Sequence, residues 1–286
     1  MTMLNTTALQ NWIGKSESRH EILTQHPLKA MSATLNKALK LDPGSALPPL
    51  WHWLYFLDTP NQAELAEDGH AKKGNFLPPV DLPRRMWAGS RIEFMRPLII
   101  GDAVERTSTI KSIEHKQGRT GSLAFVCVEH LLSTAAGVAV REEHDIVYRA
   151  SPAPGTVEPA PVLARSRADF SRRITPDPVL LFRYSALTFN GHRIHYDRDF
   201  ATQVEGYPGL VVHGPLLATL MVDLLLDSVA ARSLRHFEFK AVRPVFDLHA
   251  FTVCATRPDS DGSARVWVQD ANAALCMHGS AMLENN

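Results

Sequence analysis

Apolar and polar positions along the chain fall into two similar series. In the first half, Val104 to Ile110 reads as an alternating, half-buried strand and follows Glu93-Phe94-Met95-Arg96-Pro97-Leu98. In the second half, His249 to Thr256 alternates in the same way after Glu238-Phe239-Lys240-Ala241-Val242-Arg243-Pro244-Val245. A turn signal then precedes a β-rich run in each half: Gln117-Gly118 to Gly121-Ser122 before Leu123, and Asp259 to Ser263 before Ala264. Upstream, each half carries a proline-led apolar segment without alternation, Pro48 to Phe56 and Pro208 to Leu217, and both predict buried helices. The later one, Gly214 to Asp227, is apolar nearly all round, the pattern of a helix inside a core. The interval from Pro49 to Arg96 is about 12 residues longer than that from Pro208 to Arg243, and a polar loop of flap-like composition, Thr59 to Pro83, accounts for the surplus.

An apolar helix followed by antiparallel strands, given twice, predicts an α+β architecture in which a curled sheet wraps a central helix, a doubled hotdog fold. Prolines crowd the stretch from Ala150 to Ala164, where missing backbone donors favour an extended, exposed chain. The predicted division is therefore a first hotdog over 1–150, a linker over 151–164 and a second hotdog over 165–286. The first half is expected to shape the substrate tunnel and the second to carry the chemistry.

Composition narrows the classes. With 45% hydrophobic and 21% charged residues the chain is rich enough in apolar groups to bury a core. Thirty basic residues balance thirty acidic ones, so no global field draws the protein to nucleic acid or an anionic membrane, and an anionic ligand must be met locally. Cys127, Cys254 and Cys276 are odd in number and sit in apolar or alternating runs, which points to buried thiols and a reducing cytoplasm. The N-terminal residues lack a basic start followed by an apolar core, and no run approaches about 18 apolar residues, so neither a secretory leader nor a membrane span is expected.

The chemistry-bearing segment is Arg183-Tyr184-Ser185-Ala186-Leu187-Thr188-Phe189-Asn190-Gly191-His192-Arg193-Ile194-His195-Tyr196-Asp197. It resembles the hydratase motif of the MaoC-like, R-specific enoyl-CoA hydratases, in which an Asp precedes a His by five residues with Asn-Pro between. Phe200-Ala201, His213-Gly214 and Met86 to Arg91 extend the likeness, which is greatest to the two-hotdog branch acting on mesaconyl-CoA and itaconyl-CoA. The resemblance implies a cofactor-free hydro-lyase for a short, branched, dicarboxylic enoyl-CoA, with His195 at the catalytic position. The chain departs from the motif at three places: Asn190 for Asp, His192 for Asn and Arg193 for Pro.

Water addition to an enoyl thioester needs a base for the water, a proton for the α-carbon and donors for the enolate oxygen. A neutral imidazole serves the first need, so His195 is the expected base and carrier of the proton. An amide exchanges no proton at neutral pH, so Asn190 can hold water or orient the ring without acting as an acid. Gly214 at the start of a buried helix can bring a thioester oxygen to free backbone N–H groups, or can simply shape a turn. For the acyl end the candidates are His192, Arg193, Arg183, Arg91 and His213, while Tyr184 and Tyr207 line the pocket or pack in the core. Lys240, Arg243 and Arg173 are the cations available to the CoA phosphates. A metal held by His192 and His195 with Asp197 or Asp199 is set aside, because that spacing defines no third ligand. The expected partner is the acyl-CoA substrate, with a homodimer left open. Two rivals remain: a hotdog thioesterase, which needs a base beside the thioester carbon where Asn190 stands, and a non-catalytic acyl-CoA binding subunit.

Overall fold

The computed structural model describes residues 6–118, 121–150, 160–165, 167–229 and 232–285. Residues 151–159, most of the predicted linker, lie outside them. The ten strands are β1 (Ser16–Ile22), β2 (Arg84–Phe94), β3 (Ala103–Gly118), β4 (Gly121–Thr134), β5 (Gly137–Arg149), β6 (Phe170–Ile174), β7 (Arg232–Ala241), β8 (Phe251–Ala255), β9 (Ser263–Gln269) and β10 (Leu275–Asn285). They form one sheet in the order β1-β3-β4-β5-β2-β7-β10-β9-β8-β6. Renumbering from β6 reproduces the first five strands in mirror order about the β2–β7 pair, so the duplication read in the sequence is a duplication of topology. At the seam β2 and β7 pair antiparallel from Gly89↔Lys240 to Glu93↔His236.

Among the described residues the α-helices that accompany the sheet are α1 (Thr6–Gln10), α2 (Gln25–Thr34), α3 (Pro178–Leu187) and α4 (Gly214–Ser228). The predicted central helix of the second half is α4. Every residue from Leu216 to Leu225 is buried, and the helix packs against β6, β7, β8 and β9. Six of these are Leu or Met, and each such burial stabilises by about 1.5–3 kcal/mol. The matching helix of the first half does not form. Pro48 to Phe56 contains a single 3₁₀ turn, Trp51–Leu54, bounded by Leu50 and Phe56 with positive φ, 69° and 55°. Such residues stop a right-handed helix on either side, and the polar Asp58-Thr59-Pro60 that follows cannot prolong it.

Beside this turn the first half buries a network of polar side chains. Glu142 on β5 is buried and accepts hydrogen bonds from Ser90 Oγ (2.8 Å) and Trp53 Nε1 (3.0 Å), with His52 Nε2 at 3.2 Å. Burial alone would raise its pKa, but the His52 hydrogen bond and the charges of His52, His144 and His130 hold it below the usual carboxylate range. Trp53, Trp87 and Phe239 pack edge-on across the seam, 4.8 Å between the two indoles and 6.3 Å from Trp53 to Phe239. One apolar core, containing Trp51, Ile92 and Val140 together with Leu217, Phe237 and Val266, runs through both halves. Cys254 and Cys276 are buried and Cys127 is half-buried; all three are free thiols. Among the described residues no helix is long and apolar enough to cross a membrane.

Candidate active site

Helix α3 delivers the motif. Asp177 caps it, accepting from Val179 N–H (2.8 Å) and Leu180 N–H (3.0 Å), and Pro178 fits the first helical position, where no donor is needed. Its far end breaks at Phe189, whose φ is +48°. The chain then turns through Asn190 and enters a 3₁₀ turn, Arg193–His195, followed by a π-helical turn, Phe200–Val204. Asn190 is a turn residue in this geometry: its Oδ1 accepts the N–H of His192 at 3.0 Å and its own N–H bonds to Ser185 O at 2.8 Å.

His195 is buried, and its Nδ1 lies 2.7 Å from Val211 O. A carbonyl only accepts, so Nδ1 carries the proton and Nε2 keeps its lone pair. Burial pushes its pKa down to about 4, against the Val211 hydrogen bond and with a smaller push from His70, so the ring is neutral at pH 7. The ring of His213 stacks behind it, 3.8 Å away at 17°. His213 is fully buried, with Nε2 2.8 Å from Ser185 Oγ and Nδ1 unpartnered, and it stands at the N-cap of α4. Gly214 follows as the first residue of α4. A Cβ built there would come no nearer than 3.8 Å to Met277 Cε and 4.0 Å to Trp87 O, so the protein leaves room at this helix start.

The loop Thr59 to Pro83 folds onto the motif. Arg193 N–H bonds to Asp68 O (2.9 Å) and its Nη1 to Glu67 O (3.1 Å). Gly69, with φ +87°, approaches Gly191 so closely that a Cβ would lie 1.9 Å from Gly191 O. Behind this contact the His70 ring packs 4.0 Å from that of His192, and His192 meets His195 edge-on at 5.4 Å. Asp68 Oδ2 is 2.9 Å from His70 Nδ1 and Asp68 Oδ1 accepts the His70 N–H. Burial would raise the Asp68 pKa, but the hydrogen bond and charge of His70, with the charge of His192, hold it low. Burial lowers the His70 pKa and Arg85 on β2 adds to that, against the hydrogen bond and charge of Asp68, and the balance lies below the usual imidazole value. His192 is lowered by burial first, then by His70 and His195. Asp68, His70 and His192 also place one ligand atom each within 4.8 Å of one another, a donor set that His192 and His195 alone did not suggest.

The expected site residues thus divide. His195, His192, His213 and Gly214 converge on the start of α4, and Asn190 shapes the turn that carries them. Arg193 does not offer a free fork: Asp197 holds its Nε and Nη2 at 3.0 and 2.8 Å, and the guanidinium lies over Phe200. Arg91 points to the opposite face of β2 from Ser90 and is clasped by Glu143 and Asp145. Tyr184 is a buried core residue against His213, its pKa raised by burial. Tyr207 packs on Phe246 within the small cluster of Ile194, Phe200 and Val211. Arg183 is exposed on α3. Lys240 on the central strand β7 and Arg173 on the edge strand β6 are exposed and separated by three strands, about 19 Å at normal strand spacing, and Arg243 follows β7 with its N–H on Cys276 O. Lys240 and Arg173 therefore do not converge. Asp68 and His70, from the first half, meet the motif in contacts that the sequence reading missed, and the charge of Arg85 on β2 acts on both His70 and His192.

The model of one family, hydroxyacyl-thioester dehydratase type 2 (Htd2), matches residues 50–247. Mesaconyl-C(4)-CoA hydratase of Chloroflexus aurantiacus is 46% identical over 255 residues, 87% of this chain and 89% of that one. Among solved structures, a MaoC-like dehydratase from Phytophthora capsici aligns over 99% of both chains with a TM-score of 0.65 and 16% identity. A Mycobacterium tuberculosis protein described as a double hotdog aligns over 95% of this chain and 96% of its own, with a TM-score of 0.59 and 15% identity. At those identities the two structures speak for the fold alone.

Proposed function

The chain belongs to the hydroxyacyl-thioester dehydratase type 2 (Htd2), MaoC-like family of hydro-lyases and has its double hotdog fold, and from that premise we propose that the site at the start of α4 hydrates a short, branched, dicarboxylic enoyl-CoA, and dehydrates the hydroxyacyl-CoA in reverse. The observation that supports this reading most is the His195 ring, whose Nδ1 proton is committed to Val211 O while Nε2 stays free and neutral beside the room left at Gly214. With the thioester oxygen at the α4 N-terminus, Nε2 takes a proton from water as the water oxygen joins the β-carbon. The π electrons move towards the thioester oxygen, whose developing charge the free N–H groups of the first helical turn stabilise, and protonation of the α-carbon completes the addition.

The dicarboxylic preference rests on the mesaconyl-C(4)-CoA hydratase relative. With Arg193 and Arg91 held by carboxylates, the substrate carboxylate falls to Arg85, which adjoins His70 and His192 and has no ion pair among the described residues. The test incubates the protein with crotonyl-, mesaconyl- and itaconyl-CoA and follows products by mass. We expect gain of one water, and for Arg85→Met a rise in KM on the order of tenfold for the dicarboxylic substrates with crotonyl-CoA little affected, the scale of one lost charge-assisted pair. Release of free CoA from a saturated acyl-CoA, without hydration, would identify a thioesterase instead.

A further inference from the structure

Hydration with an amide in place of the motif's acid leaves the second half one proton-handling group short. Asn190 cannot exchange a proton, and its Oδ1 already serves the His192 N–H. The first half brings such a group to the same place. We propose that the Asp68–His70 pair is the second acid–base group of this site, carried to it by the loop between the 3₁₀ turn Trp51–Leu54 and β2; the inference rests on the hydratase reading above.

The geometry is that of an oriented imidazole. Asp68 grips His70 twice, through Nδ1 at 2.9 Å and the backbone N–H at 3.0 Å, which fixes the ring and turns Nε2 away from the carboxylate. The loop cannot drift, because Arg193 binds Glu67 O and Asp68 O and the contact of Gly69 with Gly191 admits no side chain. His70 then stands one ring beyond His192, which itself meets His195. In hydration His195 accepts a proton from water as the C–O bond forms, and the π pair takes a proton from the His70 imidazolium to make the α-carbon C–H bond. The proton left on His195 afterwards returns to His70, so no proton is gained or lost over the cycle. In dehydration neutral His70 removes the α-proton and protonated His195 releases the hydroxyl as water. The two rings differ in their partners: Nδ1 of His195 donates to a carbonyl and its ring lies on that of His213, whereas Nδ1 of His70 has a carboxylate, which works against the downward push of burial on the His70 pKa.

The charges facing His70 are Asp68 on its own loop, Arg85 on β2, and His192 and His195 on the motif segment. Hydration needs His70 protonated, so kcat falls on the alkaline side as that proton is lost. Asp68→Asn removes the charge that favours the proton, and the alkaline limb of kcat moves to lower pH. The experiment measures kcat and KM against pH for the full-length wild type, Asp68→Asn, His70→Gln and His195→Ala, with thermal melts to establish folding and metal analysis of each protein. We expect the limb to shift in Asp68→Asn, and His70→Gln to lose on the order of 100-fold in kcat with KM nearly unchanged. A loop that only supports the fold would lower the melting temperature or raise KM and leave the limb in place. His70→Gln within a few-fold of wild-type kcat, with His195→Ala inactive, overturns the inference and leaves the hydratase reading standing. A wild type inert to every enoyl-CoA removes both. A stoichiometric divalent ion that Asp68→Asn loses, and whose chelation stops turnover, also overturns the inference, because the carboxylate and rings would then be ligands.

Discussion

At the scale of single residues, His195 and Asn190 are joined by one turn but have different work. His195→Ala should fold and lose on the order of 10²–10⁴ in kcat, the range that a general base supplies. Asn190→Ala removes the acceptor for the His192 N–H and should impair turnover by loosening the turn, whereas Asn190→Asp keeps an acceptor there and should retain measurable activity. Both residues act on one arrangement, so the double alanine variant should be little worse than the worse single one; two losses that multiply would show independent roles. Gly214 gives a cleaner separation of folding from function. A Cβ meets nothing closer than 3.8 Å, so Gly214→Ala should melt within about 2 °C of wild type, yet the methyl group occupies the approach to the helix N-terminus and kcat/KM should drop at least tenfold. Equal activity would remove Gly214 from the site. The placement of His195 beside His192 and near the turn at Asn190 was legible in the sequence because that segment is contiguous. Arg193 is paired with Asp197, four residues on, a partner that its spacing in the sequence already signalled. Asp68 and His70 could not be read at all, because their contact with His192 spans more than a hundred residues and depends on how a loop docks.

Between elements, α4 is fastened by more than its apolar faces. Lys37, just beyond α2, reaches Asp223 and Asp227, each at 3.1 Å, and Asp223 is buried with Oδ2 unpartnered. Burial raises the Asp223 pKa while Lys37 pulls it back. Lys37→Met should therefore destabilise by about 3 kcal/mol in urea titration, since it strands a buried carboxylate, and the added substitution Asp223→Leu should recover much of that loss. A cost below about 0.5 kcal/mol would mean that the pair is solvated. The helix itself was legible because an apolar run of that length has only one way to be buried. Its counterpart at Pro48 to Phe56 is also apolar but shorter and rich in aromatic residues, and its sequence does not reveal that Leu50 and Phe56 adopt left-handed backbone. The repeated Arg-Pro stretches were a sound guide to the strands, since in both halves they mark the connection between the strand that ends there and the next one along the chain.

Over the whole molecule, one sheet and one core join the halves, so thermal unfolding should give a single transition by calorimetry and circular dichroism. Acid should weaken the fold well before carboxylates titrate. Burial pushes His130 down to about 3, and His144 and His195 to about 4, so between roughly pH 6.5 and pH 4 the unfolded chain binds protons that the folded chain refuses. Stability must fall as pH drops through that window, by about 1.4 kcal/mol for each tenfold loss of proton affinity in a fully buried ring. Glu142 acts differently. Its pKa lies below that of an unfolded glutamate, so its contribution is present above about pH 4.3 and is lost only on further acidification. The urea midpoint at pH 4.5 should accordingly lie well below that at pH 7.5, and equal midpoints would mean that the buried histidines are accessible to protons.

The mirror order of strands about the β2–β7 seam has a consequence for stoichiometry. Two identical halves meeting at such a seam would present two equivalent catalytic mouths. Among the described residues the motif lies on the second half and the loop that meets it on the first, so each polypeptide brings motif and loop together once. A slowly dissociating transition-state mimic should therefore titrate to one equivalent per chain, and a sister mouth cannot arise by point substitution alone, because both the loop and the motif would have to be copied across.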